Sequence, residues 1–154
     1  MGCNTTRKPK KIWINGTLAG AHTVAHLFKR AATSPLIIDG KKYMVEGGTF
    51  RNTSFGQFPK GLPLVVSYDI FVKTASPAMV TYGISRIWVR QGNKVWVPLK
   101  TKSRGYGAPQ LRNGMIIRGG PRFPLHSKVD VLIEITTPKG LYYIKDLQVE
   151  VHEG

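Results

Sequence analysis

The strictest alternation of apolar and polar positions closes the chain. Val129, Val131, Ile133 and Ile135 fall on one face of an extended segment, with Asp130 and Glu134 on the other. The turn TTPKG reverses direction, and LYYIKDLQVEV returns with Leu147, Val149 and Val151 on one face. Further back, LPLVVSYDIFVK (62–73) places Val65, Ser67, Asp69 and Phe71 together, and LIIDGKKYMVEGG reads as two short strands around Asp39-Gly40, a strong hairpin dipeptide. Ile12 to Leu18 and Met115 to Arg118 are further strand candidates. Ala21, Val24, Ala25, Phe28 and Ala32 sit at helical spacing, so the pattern predicts at most one short helix near residues 21–32, limited by Pro35. Roughly seven to nine strands separated by turn signals predict an all-β, antiparallel β-sandwich rather than an α/β fold.

The segment SRIWVRQGNKVWVPLK (85–100) predicts a hairpin whose register decides its faces. With a Gln91-Gly92-Asn93 loop, Arg90 pairs with Lys94 and Trp88 lies opposite Trp96. One face then reads Arg86, Trp88, Arg90, Lys94, Trp96 and Lys100; the other reads Ser85, Ile87, Val89, Val95, Val97 and Leu99. A two-residue Gly92-Asn93 loop is chemically sound but mixes tryptophan and valine on both faces, so binary patterning favours the three-residue loop. Two indoles framed by cations would suit a flat or anionic partner, since stacking on such a platform contributes about 1–3 kcal/mol per base. The competing interpretation buries the tryptophans against the opposite sheet, with the arginine stems alongside.

Charge sharpens that expectation. The chain has 154 residues, one domain's length, and carries 23 Lys and Arg against 8 Asp and Glu, a formal charge of +15. No acid lies between Asp69 and Asp130, so the positive field belongs to the middle of the chain, with Lys102 and Arg104 extending the basic face, and to RKPKK (7–11). Such a balance draws a protein to polyanions: nucleic acid, anionic lipid or acidic polysaccharide. No apolar run approaches eighteen residues, and a membrane-spanning helix is not expected.

The opening MGCNTT fits an N-myristoylation pattern at Gly2, with Cys3 available for palmitate. The same residues fit the start of a mature bacterial lipoprotein, with lipid on Cys3, or an unmodified flexible tail. Either lipid would tether residues 1–11, a basic tail, ahead of a single domain spanning 12–154. Three glycosylation sequons, at Asn4, Asn15 and Asn52, match the pattern only.

Catalytic templates are missing. His22 and His26 have the i, i+4 spacing of helical metal ligands, but no third ligand is visible and Lys29 and Arg30 would repel a cation. Asp130 and Glu134 share a strand face but are too far apart for a retaining glycosidase pair. GYG and RGG lack the context of phosphate loops. No cofactor, no metal and no enzymatic activity are expected.

The ending GGPRFPLHSKVDVLIEITTPKGLYYIKDLQVEV resembles the final hairpin of immunoglobulin-like or fibronectin type III-like domains in secreted bacterial proteins. That resemblance implies a sandwich architecture and an extracytoplasmic, membrane-tethered or secreted setting, with no catalytic residues. The expected function is a non-catalytic binding or structural module of a cell envelope or secreted system. Its partner would be an anionic polymer, a membrane surface, a glycan or a protein. The alternative is a nucleic-acid-associated structural protein, such as a small capsid or ribosome-like subunit, with RKPKK as its phosphate-binding arm. A homo-oligomer through edge strands is a third course.

Overall fold

The computed structural model describes residues 12–14, 21–52, 61–74, 80–96, 103–104 and 112–154. Strands account for 68% of these, so the protein is mostly β, with one short helix among the described residues. The strands are β1 (Ile12–Ile14), β2 (Ala32–Thr33), β3 (Leu36–Ile38), β4 (Lys41–Arg51), β5 (Leu64–Val72) and β6 (Gly83–Gln91). They continue with β7 (Lys94–Trp96), β8 (Ser103–Arg104), β9 (Asn113–Gly120), β10 (Lys128–Thr137) and β11 (Gly140–Glu153). The helix α1 (Ala21–Arg30) falls where the helical spacing places it.

These strands form one mixed sheet curled into a half-barrel, in the order β1-β7-β6-β10-β11-β4-β5-β9-β8, with β2 beside β11 and β3 beside β4. The expected purely antiparallel arrangement gives way at three parallel pairings: β1 with β7, β2 with β11, and β4 with β11. Length explains the last. At fourteen residues β11 outruns its partner β10, and its final residues pass to β4, pairing Val151 with Thr49 and Glu153 with Arg51.

Local chemistry sets the bends. Asp39 and Gly40 take φ of 51° and 78°, so the chain reverses in two residues and Ile38 pairs with Lys41. In β11 the register shifts between Val129↔Val149 and Val131↔Asp146, and Gln148 adopts φ of 56°. Its backbone N–H donates to Asp130 Oδ1 at 3.1 Å, which satisfies a group the bulge removes from the ladder. The kink leaves Leu147 45% exposed, so it does not share the inner face of Val149 and Val151.

The main core lies inside the curl. Val66, Tyr68 and Ile70 of β5 meet Ile87 and Val89 of β6, Ile133 and Ile135 of β10, and Ile144 of β11. Burying each aliphatic side chain stabilises by about 1.5–3 kcal/mol. A second apolar cluster forms on the outside of β6, β7 and β10, where Val24, Phe28 and Ala31 of the helical segment cover Trp88, Val95 and Leu132. Lys145 Nζ donates to the Phe28 carbonyl at 3.0 Å, satisfying a helix-end acceptor and placing a cation at the negative end of the dipole. Among the described residues, no helix is long and apolar enough to cross a membrane.

Candidate anion-binding surface

The tryptophan hairpin takes the other register. Gln91 pairs with Lys94, Arg90 with Val95 and Val89 with Trp96 across a two-residue Gly92-Asn93 turn, with Gly92 at φ of 59°. The indoles therefore point to opposite faces. Trp96 enters the main core at 1% exposure, and a Cβ on Gly120 would come within 2.8 Å of its ring. Trp88, at 4%, lies beneath α1 and against Tyr143 at a ring separation of 6.2 Å. Neither indole N–H has an acceptor among the described residues, so apolar contact alone holds both rings. The expected wet, cation-framed platform of paired indoles does not form.

The cations of that hairpin separate as well. Arg90 stacks 3.9 Å from the Phe28 ring centroid and pairs with Asp130 at 3.0 Å, which removes it from solvent chemistry. Arg86 is exposed on the same face, and Lys94 is exposed at the turn. Arg104 belongs to β8, where it pairs with Gly114. Lys100 and Lys102 lie outside the described residues, as do Gly2 and Cys3 and the sequons at Asn4 and Asn15. Asn52 follows the end of β4 and is half-buried.

The scarce carboxylates reveal where the charge is free. Asp39 accepts from Lys139 Nζ at 2.5 Å and from the Tyr82 hydroxyl at 3.2 Å; the Lys139 hydrogen bond holds its carboxyl below the usual aspartate range. Glu46 and Asp69 flank Arg112, whose guanidinium also lies 4.2 Å from the centre of the Phe71 ring. Glu134 accepts from Ser85 Oγ at 2.8 Å and from the Tyr143 hydroxyl at 2.9 Å. Burial, and then that bond to a carboxylate, pushes the Tyr143 phenol up to about 12. Asp146 accepts from the buried Tyr68 hydroxyl at 2.8 Å, and desolvation of the phenol raises its pKa. Glu150 gathers His126, Lys128 and His152, and its pKa falls, chiefly through the His126 hydrogen bond. Glu153 also makes an interaction within the chain.

Seven of the eight carboxylates are thus committed to internal partners. Among the described residues Lys42, Lys73, Arg86, Lys94 and Arg118 are exposed with no carboxylate in ion-pair reach, and Lys41 is exposed near Asp39, whose pKa it helps to lower. Two of them, Lys42 and Lys73, lie on neighbouring strands as cross-strand partners. Lys41, Lys42 and Lys73, with Gly40, Val72 and Thr74, line a surface concavity of about 390 Å³. Sequence reasoning passed over this group because its members come from separate elements. The signal was present in the Asp39-Gly40 turn, which places Lys41 and Lys42 at a strand start, but the pairing of β4 with β5 that brings Lys73 alongside was not assigned.

His26 is exposed, with its Nε2 3.4 Å from Arg30 Nη1. No group of three histidine, cysteine or acidic side chains able to hold a metal occurs among the described residues. No protein-family model matches this chain, and no curated protein or solved structure matches it.

Proposed function

We propose that this protein is a non-catalytic binding module that docks on an anionic surface of the cell envelope, with a lipid on Gly2 or Cys3 reinforcing the attachment. The supporting observation is the asymmetry of pairing: the carboxylates are engaged inside the molecule, while lysines and arginines stand exposed without them. A surface of that kind gains free energy from a partner that supplies the missing negative charge. Each lysine or arginine near an anionic bilayer contributes about 1 kcal/mol, so several acting together give useful affinity without any deep pocket. The relation to immunoglobulin-like or fibronectin type III-like domains rests on the closing hairpin, and the three parallel pairings weigh against it.

The test is flotation of the full chain with neutral and with anionic phospholipid vesicles, set beside titrations with duplex DNA and single-stranded RNA at several salt concentrations. Binding to the anionic vesicles, weakened by salt, with weaker binding to nucleic acid, supports this reading. Tight nucleic-acid binding with a steep salt slope and no vesicle binding would replace it with the nucleic-acid-associated alternative. Intact-mass measurement of natively expressed protein reports on the tether separately, through the presence or absence of acyl mass.

A further inference from the structure

The end of the molecule that carries the β3–β4 turn combines free cations with exposed apolar surface. Tyr43 pairs with Val72, and the ladder extends one step further as Lys73 N–H donates to the Lys42 carbonyl at 2.9 Å. Lys42 and Lys73 are therefore directly opposed, with Cβ atoms about 4.5–5.5 Å apart on one face. On the other side of Lys42 stands Ile37, which is 54% exposed. The row across the outer face thus reads isoleucine, lysine, lysine, while Lys41, paired with buried Ile38, falls on the alternate face.

Like charges directly opposed across strands destabilise a sheet. Nothing in the row compensates them. The next pair inward on this face is Met44 with Phe71, and the acids Glu46 and Asp69 come only after it, where Arg112 holds both. Asp39 at the adjoining turn is bound to Lys139 and lies near Lys41 rather than the lysine row. That contact also brings the β10–β11 turn to the same end, where Leu141 is exposed and lines a neighbouring cavity with Leu36.

We propose that this end is a phospholipid docking site: Lys42 and Lys73 take a headgroup phosphate at the concavity they border while Ile37 enters the interfacial layer. The assignment rests on the anionic-surface reading given above and names the place and chemistry of contact. A tetrahedral phosphate oxyanion relieves the Lys42–Lys73 repulsion, and an exposed aliphatic side chain beside it gains by leaving water. A nucleic acid backbone would satisfy the lysines but offers nothing to Ile37, which is why the lipid is preferred.

The experiment uses the full chain in flotation with vesicles of phosphatidylcholine, alone or containing about one-third phosphatidylglycerol. The double variant Lys42→Gln, Lys73→Gln should weaken partitioning onto the anionic vesicles about 30-fold, two cations' worth. Ile37→Ser should weaken it by a smaller factor on the same vesicles. The control double variant Lys94→Gln, Arg118→Gln should lose far less. Removing the opposed lysines relieves repulsion, so the melting temperature should hold or rise, which separates lost binding from lost folding. Equal losses in the two double variants would overturn this site while leaving the general reading intact. Failure of the unmodified protein to bind anionic vesicles would overturn both. Displacement by millimolar inorganic phosphate, but not by chloride at equal ionic strength, would show a free-phosphate site and end the lipid assignment.

Discussion

The two outer faces of the curled sheet obey the same alternation and meet opposite fates. Outside β6 and β10, the helix lies over Trp88 and Leu132, and the polar groups there are drawn into defined contacts. Asp130 pairs with Arg90 and caps the Gln148 bulge, while Glu134 receives Ser85 and Tyr143. Outside β4 and β5 no such layer is described, and Glu46, Asp69 and Arg112 pair at the surface near uncompensated Lys42 and Lys73. Partial burial raises the worth of each polar contact on the first face. On the second, solvent screening keeps it small. Contacts on the covered face therefore contribute more to stability than those outside β4 and β5.

That contrast is open to direct measurement. Trp88→Ala should cost about 3–5 kcal/mol in urea unfolding, because the ring fills the space between sheet and helix. A loss below 1 kcal/mol would mean the helix layer is no second core. The next largest difference is electrostatic. Asp130→Ala, which removes a charge-assisted bond and the bulge cap, should cost about 1.5–3 kcal/mol. Arg112→Ala on the bare face should cost about 0–1 kcal/mol, and equal values for the two would erase the distinction.

The smallest effect is in pH dependence. Folding favours the neutral Tyr143 phenol, so its contribution is whole below the ordinary tyrosine value of 10.0 and is lost as pH rises towards about 12. Tyr143→Phe should flatten the alkaline limb of the stability profile in that window. Asp39, on the bare end, acts in the opposite sense: its lowered pKa stabilises above the ordinary value of 3.8 and is lost as pH falls through the folded value.

The same contrast explains which parts of the fold were legible in the chain. Val129, Val131, Ile133 and Ile135 occupy the predicted inner face, which is the main core, while Leu132 joins the cluster under α1 on the face of Asp130 and Glu134. The Asp39-Gly40 hairpin and the helix near 21–32 also follow their local signals. The tryptophan register did not, for a physical reason. Binary patterning assumes one wet face per strand, whereas both faces of β6 are buried, one in the curl and one under α1. Mixed tryptophan and valine on both sides was therefore the correct pattern, and the two-residue turn was its consequence. The lysine cluster was illegible for another reason: Lys42 and Lys73 meet only through a pairing between β4 and β5, which no short-range motif specifies.

The kinked β11 has a consequence for assembly of the fold. Its early residues pair with β10 and its last ones with β4, so a single strand stitches the two halves of the curl together. The stitch joins Thr49 to Val151, partners distant along the chain, and such non-local closure is slow because loop entropy must be overcome before the contact is gained. During biosynthesis the β4–β5 half can form early, but it waits with an unpaired rim until residues 151–153 have left the ribosome. Until then residues 49–51 of β4 lack their partner strand.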